Sequence, residues 1–340
     1  MNHLGIVIIG RNEGERLINC LQSLIKEVTP LNHVPMVYVD SGSTDNSIQA
    51  AKDLRVNVIE LDTSRPFTAA RGRNTGFWWL IQQHPDLDYV QFIDGDCILV
   101  SGWLSLALKT LEENQQLAIA CGRRREKFPD ATPYNRLADM EWNTPVGEAM
   151  ACGGDALMRV KAIKSVNGFN DSLICGEEPE MCLRLRRQGW KILRLDADMT
   201  VHDAAMTQFS QWWTRMVRSG WAVAQGVAMY GASPQRYMVR QYYSNWFWGL
   251  ILPLMALGFP WLTSGLSLLL FLGYPVLGWR IYQNRRRKGD LFSHSRLYAI
   301  ACVFAKFPHI IGQIKYSITR WQGQQATLIE YKNPLSSNDG

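Results

Sequence analysis

Tyr89-Val90-Gln91-Phe92-Ile93-Asp94-Gly95-Asp96 is an aromatic and β-branched run that stops on two carboxylates flanking one glycine. An apolar run closed by a turn signal reads as a buried strand of an α/β sheet. In open α/β sheets, ligands gather outside the carboxyl ends of the strands. Two acids there, with a glycine that lets a ligand approach the backbone, suit a divalent cation bridging to phosphate. A surface Asp-Gly turn explains the same residues equally well, and the neighbouring segments must decide between the two.

Upstream, Gly5–Ile9 is a short apolar strand closed by Gly10-Arg11-Asn12-Glu13-Gly14. A helix follows with Leu17, Cys20, Leu21, Leu24 and Ile25 on one face. Met36–Asp40 is a second strand, and Ser43 or Thr44 is placed to cap a helix beginning near Asp45. Val56–Leu61 is a third strand, and a helix after Pro66 carries Arg71, Arg73 and Asn74. Strands and helices alternating at short spacing predict an α/β fold with a parallel, right-handed βαβ sheet. Parallel strands would bring Asn12 and Glu13, Asp40 and Gly42, and Asp94 and Asp96 to one sheet edge facing one crevice. There Asp40 can accept hydrogen bonds from a base or ribose, and Arg71 can offset diphosphate charge. An exposed helix face accounts for Arg71 and Arg73 as well. The chain has no G-x-G-x-x-G and no Walker A lysine loop, which disfavours dinucleotide oxidoreductases and P-loop enzymes.

Four ordered motifs resemble family 2 glycosyltransferases: Ile8-Ile9-Gly10-Arg11-Asn12-Glu13, Val39-Asp40-Ser41-Gly42-Ser43-Thr44-Asp45, Ala70-Arg71-Gly72-Arg73-Asn74-Thr75-Gly76 and Asp94-Gly95-Asp96. The resemblance runs from about Gly5 to His202. It implies the GT-A fold, a nucleotide-sugar-binding α/β domain around a central, mostly parallel sheet. It also implies that Asp40 holds the nucleobase, that Asp94 serves ribose and metal, and that Asp96 holds the metal, Mg²⁺ or Mn²⁺. Asn12, Glu13, Gly42, Arg71 and Asn74 complete the expected donor side.

Cys152-Gly153-Gly154-Asp155-Ala156-Leu157-Met158-Arg159 resembles the family's small-residue loop beneath the sugar; Asp155 can bind a sugar hydroxyl or cap the helix near Val160. In Glu177-Glu178-Pro179-Glu180 the acids suit a helix N-terminus, and they also offer a general base for inverting glycosyl transfer. The family has Glu-Asp here with a second acid two residues on, which puts Glu178 in the base position and Glu177 second. Here the family's aspartate is replaced by a glutamate whose arm is one methylene longer. His202 is expected as a metal ligand or as a structural histidine. The run Arg123–Lys127 is either a solvated face or a contact to a phosphorylated acceptor. Gln211-x-x-x-Arg215-Met216 departs from the Q-x-x-R-W of processive members, so transfer is expected to be non-processive. Trp212, Trp213 and Trp221 suit stacking on a sugar or packing in a core.

At 340 residues the chain suits one large or two modest domains. Its charge is uneven: from Ala205 onward 14 Lys and Arg face only three acids, while the preceding part is net acidic. That split suits a metal-binding front half and a rear half facing an anionic surface. Seven scattered cysteines without C-x-x-C predict a reducing compartment rather than a disulfide framework or structural zinc. The N-terminus lacks a basic run followed by a long apolar one, so no cleaved signal peptide is expected. Tyr242–Trp279 is free of charge and broken by Pro253, Gly258, Pro260 and Gly265, predicting a hairpin of helices at about 243–260 and 265–282, spanning or re-entrant. Arg236, Arg240 and Arg285–Lys288 place both ends in the cytoplasm. Leu297–Ile314 is expected to lie in the interface, and Asn333–Gly340 to be a disordered tail.

The expected layout is a catalytic domain over 1–205, connecting helices over 206–241, the hairpin over 242–282, and a basic loop, interfacial helix and tail over 283–340. The expected function is a membrane-anchored, inverting, metal-dependent glycosyltransferase on the cytoplasmic face of the inner membrane. It would take a nucleotide-sugar donor, a saccharide or polyprenyl-linked acceptor and membrane lipid, and no nucleic acid. A nucleotidyltransferase acting on a sugar phosphate would want a glycine-rich basic loop after the first strand, for which Gly10–Gly14 is a poor match. A non-catalytic scaffold would be expected to have lost Asp40, Asp94, Asp96 and Glu178.

Overall fold

The computed structural model describes residues 3–29, 34–62 and 64–324. Its described residues form two compact units, one of residues 3–129 and 141–205, the other of 130–140 and 206–324. The tail expected at Asn333–Gly340 lies outside the described residues.

The first unit holds a nine-stranded sheet ordered β3-β2-β1-β4-β8-β6-β9-β5, with β7 beside β9. The strands are β1 Leu4–Gly10, β2 Met36–Asp40, β3 Asn57–Glu60, β4 Tyr89–Asp94, β5 Cys97–Leu99, β6 Leu117–Glu126, β7 Gly147–Glu148, β8 Ala156–Arg159 and β9 Lys191–His202. The first four are mutually parallel, as the βαβ spacing predicts. Beyond β4 the sheet is mixed: β8 runs antiparallel to β4 and β6, whereas β6 and β9 are parallel. Ala156–Arg159 was expected within a loop, and is a four-residue strand directly after Asp155. Arg123–Glu126 continues β6 instead of forming a solvated run beyond it, and Arg124 turns inward to Asp94 and the buried Asp155.

Helices cover the sheet: α1 Glu15–Val28, α2 Ser47–Asp53, α3 Ala69–Gln83, α4 Trp103–Glu113, α6 Val160–Ser165 and α7 Glu177–Arg187, while α5 Pro133–Trp142 belongs mostly to the second unit. In α1 Leu17, Cys20, Leu21, Leu24 and Val28 are buried, while Ile25 stays partly exposed. Ser43 and Thr44 do not cap α2, since Asn46 immediately precedes it. Ile6, Val7, Ile8, Val37, Val39 and Phe92 are fully buried, so both sheet faces are covered. The central-strand Gln91 accepts a 3.0 Å hydrogen bond from the indole of Trp103, which satisfies a polar group in the core.

The second unit is helical: α8 Phe209–Tyr230, α9 Val239–Trp246, α10 Leu252–Gly258, α11 Gly273–Arg287, α12 Phe292–Phe304 and α13 Lys306–Trp321. A π-helical stretch, Phe247–Ile251, joins α9 to α10, and a 3₁₀ stretch, Leu266–Leu272, leads into α11. Helix thus runs over 239–258 and 266–287, bracketing the break expected around Pro260. Leu254, Leu257, Trp261, Leu262 and Leu266 on this hairpin are each more than 60 % exposed. The apolar segment expected along an interface belongs to Phe292–Trp321, the one helix among the described residues long and apolar enough to cross a membrane by length and composition. Helices α8 and α13 meet backbone to backbone: a Cβ on Gly312 would lie 2.0 Å from the Val217 carbonyl oxygen. Trp212 is buried with Leu137, Met216 and Ala305, and Trp221 packs edge-on against Tyr316. Both indoles are therefore core residues.

Gly76 sets how closely α3 lies on the sheet, because a Cβ there would come within 2.5 Å of Val7 Cγ1 and 3.0 Å of Val39 Cγ2. Helix propensity favours alanine by about 1 kcal/mol, but overpacking costs about 1–3 kcal/mol. Gly76→Ala is accordingly expected to lower the urea midpoint of the first unit; an equal or higher midpoint would rule out this packing constraint.

Candidate active site

The register of the parallel strands brings the acids together. Ile9 pairs with Asp94 and Gly10 with Asp40, so both aspartates end their strands beside the end of β1. The Gly95 N–H donates to the Ile9 carbonyl at 2.8 Å, turning the chain tightly toward Asp96. Asp96 then faces His202 at the end of β9, with 3.2 Å between Oδ2 and Nε2. His202 Nδ1 points toward Glu126, 3.9 Å away, and Trp142 lies edge-on to the imidazole. Asp96, Cys97 and His202 carry potential ligand atoms within 4.8 Å of one another, and all three are buried. Burial alone would disfavour the imidazolium, but Asp96 outweighs it and raises the His202 pKa above the ordinary value.

Two arginines hold Asp94. Arg73 meets its Oδ1 at 2.7 Å and Arg124 its Oδ2 at 3.1 Å. Burial would raise this carboxyl; the two guanidinium groups overcome it and hold the group below the usual carboxylate range. Arg73 reaches Glu177 with its other terminal nitrogen at 2.7 Å, and Arg124 also pairs with Asp155 at 2.8 Å. The Gly154 backbone packs against this cluster: a Cβ there would be 2.8 Å from Asp94 Oδ2 and 2.9 Å from Arg124 Nη2.

The three acids that open α7 take separate directions. Glu177 joins the Arg73–Asp94 cluster. Glu178 Oε1 accepts from the Cys152 N–H and from the Cys182 thiol at 3.0 Å. Glu180 is held by Arg184 through contacts of 2.8–3.0 Å. Burial pushes the Glu178 carboxyl up, beyond what its hydrogen bonds counteract.

Several residues expected to touch the donor have other work in the structure. Arg71 spends its guanidinium on the carbonyls of Asp62, Arg65 and Pro66 at 2.8–3.1 Å and staples that loop. Asn74 binds Phe169 backbone atoms and Asp171, fixing the loop ahead of α7. Asp155 is wholly buried and accepts from the Asp94 N–H and the Thr200 hydroxyl, neither capping a helix nor opening to a ligand. Asp40 is also wholly buried and accepts from the Tyr38 and Ser43 hydroxyls and the Gly42 and Ser43 N–H groups. Its carboxylate builds the loop after β2, so a contact to a base would require exchanging one of these bonds. Asn12, at φ 53°, accepts from the Thr44 N–H at 2.7 Å and ties the first loop to the second. Glu13 pairs with Arg16 at 2.8 Å, and Gly42, at φ +84°, lies against the Phe67 ring. The sequence reading missed the roles of Arg73, Arg124, Cys97, Glu126 and Trp142. For Arg124 the signal was present as alternation along a strand, but the charge run concealed it.

Residues 5–166 match the family model described as glycosyl transferase family 2. Among curated relatives, the succinoglycan biosynthesis protein ExoA of Rhizobium meliloti (strain 1021) is 26 % identical over 211 residues, covering 58 % of this chain and 62 % of that protein. The glycosyltransferase AglE of Haloferax volcanii is 22 % identical, covering 56 % of this chain and 63 % of its own. The chain thus spans about three-fifths of the length of these relatives. Among solved structures, the mannosyltransferase PcManGT from Pyrobaculum calidifontis, in complex with GDP-Man and Mn²⁺, superposes with a TM-score of 0.59 at 14 % identity. That superposition covers 93 % of this chain and 87 % of the other. Residues 1–349 of S. aureus TarS give 0.51 at 15 % identity, covering 95 % and 92 %. The fold is GT-A.

Removing Arg73 would leave the Asp94 and Glu177 carboxylates without their shared cation. Breaking a buried ion pair from one side costs about 3–5 kcal/mol, and the partly open Asp94, at 25 % side-chain exposure, argues for the lower end. Arg73→Met is expected to destabilise the protein by about 3 kcal/mol in urea unfolding; a loss under about 1 kcal/mol would mean that the cluster tolerates the uncompensated charge.

Proposed function

We propose that the chain transfers a sugar, with inversion, from a nucleoside-diphosphate-sugar donor to a saccharide or polyprenyl-linked acceptor at the cytoplasmic face of the plasma membrane. The observation that carries this reading is the bridge through Arg73, which links Asp94 on one side of the crevice to Glu177 on the other, 2.7 Å on each side. Metal-side acids and the acids of the α7 N-terminus thereby belong to one site. The family match and the relative named for succinoglycan biosynthesis support a role in surface-polysaccharide synthesis. The apolar helix over Phe292–Trp321, the exposed apolar hairpin and the basic Arg285–Lys288 segment support membrane association.

Asp94, Asp96 and His202 fit a divalent cation, Mg²⁺ or Mn²⁺, because their donor set is hard carboxylate oxygen and imidazole nitrogen. When bound, the ion would supply charge neutralisation for a leaving diphosphate. Arg73 and Arg124, now on Asp94, are also within reach of that charge, and guanidinium pairs bidentately with phosphate oxygens. Glu178 acts as the base: burial raises its proton affinity beyond what its hydrogen bonds to Cys152 and Cys182 counteract, so its carboxylate takes the proton from the acceptor hydroxyl. Glu177 is the weaker candidate, since its carboxylate is committed to Arg73.

Donor turnover should be lost in Asp96→Ala together with Mn²⁺-dependent nucleotide binding, as followed by fluorescence titration. Glu178→Gln should keep nucleotide binding and lose transfer by about 10²–10⁴-fold, whereas Glu177→Gln should affect transfer less. Full activity in Glu178→Gln would sink the base assignment. A screen of nucleotide-sugar donors for metal-dependent hydrolysis identifies the sugar and base, and no hydrolysis with any donor would overturn the transferase reading.

A further inference from the structure

Beside the Asp94 cluster lies a second group of ligand atoms, built on Glu178 and on two thiols that glycosyl transfer does not use. Cys152 Sγ and Cys182 Sγ are 3.7 Å apart, and both cysteines are free thiols. Glu178 Oε1 is 3.0 Å from Cys182 Sγ, and the three side chains offer ligand atoms within 4.8 Å of one another. All three residues are buried. Two thiolates on a tetrahedral zinc ion at about 2.3 Å stand about 3.8 Å apart, which is the separation found here. The two thiols share a hydrogen bond at this distance and are not joined by a disulfide, so both sulfurs are free to take an ion at the separation they already have.

We propose that Cys152, Cys182 and Glu178 form a binding site for a thiophilic divalent cation of the Zn²⁺ class, with water in the fourth position. Occupation withdraws Glu178 from proton transfer and makes the ion an inhibitor. Two thiolate ligands select such an ion over Mg²⁺ or Mn²⁺, whereas the Asp96 and His202 donors have one thiol, Cys97, beside them. On loading, each thiol gives up its proton to solvent, two metal–sulfur bonds form, and no electron is transferred. Cys152 lies between exposed Ala151 and Gly153, so an ion reaches the thiols by passing a single loop. The site stands on its own geometry; the inhibition rests on Glu178 being the base.

The test uses the full chain with Co²⁺ as a spectroscopic probe and Zn²⁺ as the competitor. The expected result is a thiolate-to-cobalt charge-transfer band at one ion per chain, bleached by Zn²⁺. Cys152→Ser and Cys182→Ser should each remove the band and weaken Zn²⁺ binding by no less than the ~10–100-fold that losing a group behind a metal ligand costs. In transfer assays at saturating Mn²⁺, Zn²⁺ should inhibit the native chain over the range in which it displaces cobalt. The inhibition should shift by the same factor in each serine variant, relative to that variant's own rate without zinc. Absence of the band in the native chain overturns the site. A band with transfer unaffected by Zn²⁺ keeps the site and overturns Glu178 as the base. Zinc inhibition that persists unchanged in both variants overturns the regulation and places the ion at the Asp94–Asp96 donors.

Discussion

The shared guanidinium of Arg73 is the contact on which the crevice depends. Parallel strands that end on acids collect negative charge at one sheet edge, and Asp94, Asp96, Asp155 and Glu177 crowd a partly dry space there. Carboxylates so placed repel one another and resist desolvation, so each requires a cation or N–H donors. Arg73 serves Asp94 and Glu177 together, and Arg124 serves Asp94 and Asp155. One consequence is structural: helix α7 is fastened to the sheet through charge as well as apolar packing. The other is chemical, because under the proposed reading both cations stand where a diphosphate would bring more negative charge.

Burial divides three neighbouring acids into three roles. Glu180 is neutralised by Arg184 and serves the helix, Glu177 is bound into the Arg73 cluster, and Glu178 turns toward two thiols and a backbone N–H. At Glu178 burial raises the proton affinity beyond what its hydrogen bonds counteract. The same surroundings that suit it to accept a proton also give it soft metal-ligand neighbours. In the second unit the constraint is steric: Gly220 and Gly312 let helices α8 and α13 meet backbone to backbone, and tryptophans that might have faced a sugar fill the core.

Much of the fold was legible because hydrophobic periodicity and turn residues act locally. The strands at Leu4–Gly10, Met36–Asp40 and Tyr89–Asp94 announce themselves as apolar runs ending in polar loops. β8 did not, since four residues after a glycine pair carry too little pattern to separate a strand from a loop. The basic continuation of β6 was hidden by composition, because an arginine run looks solvated until its buried acidic partners are known.

The sequence by itself determined the ordered acids, the alternation that brings Asp40, Asp94 and Asp96 to one sheet edge, and an apolar, basic rear half. Tertiary structure alone decided which side chains meet. Arg71 and Arg73 are two residues apart, about 200° around a helix, so one staples a loop while the other reaches Asp94 and Glu177. Asp40 and Asp155 turned out to be internal acceptors, and the Asp94-Gly95-Asp96 turn gained partners 20 to more than 100 residues distant in the chain. Local pattern sets where a residue sits along its strand or helix. Its charge state and its role come from non-local neighbours, whose desolvation and hydrogen bonds exist only in the folded chain.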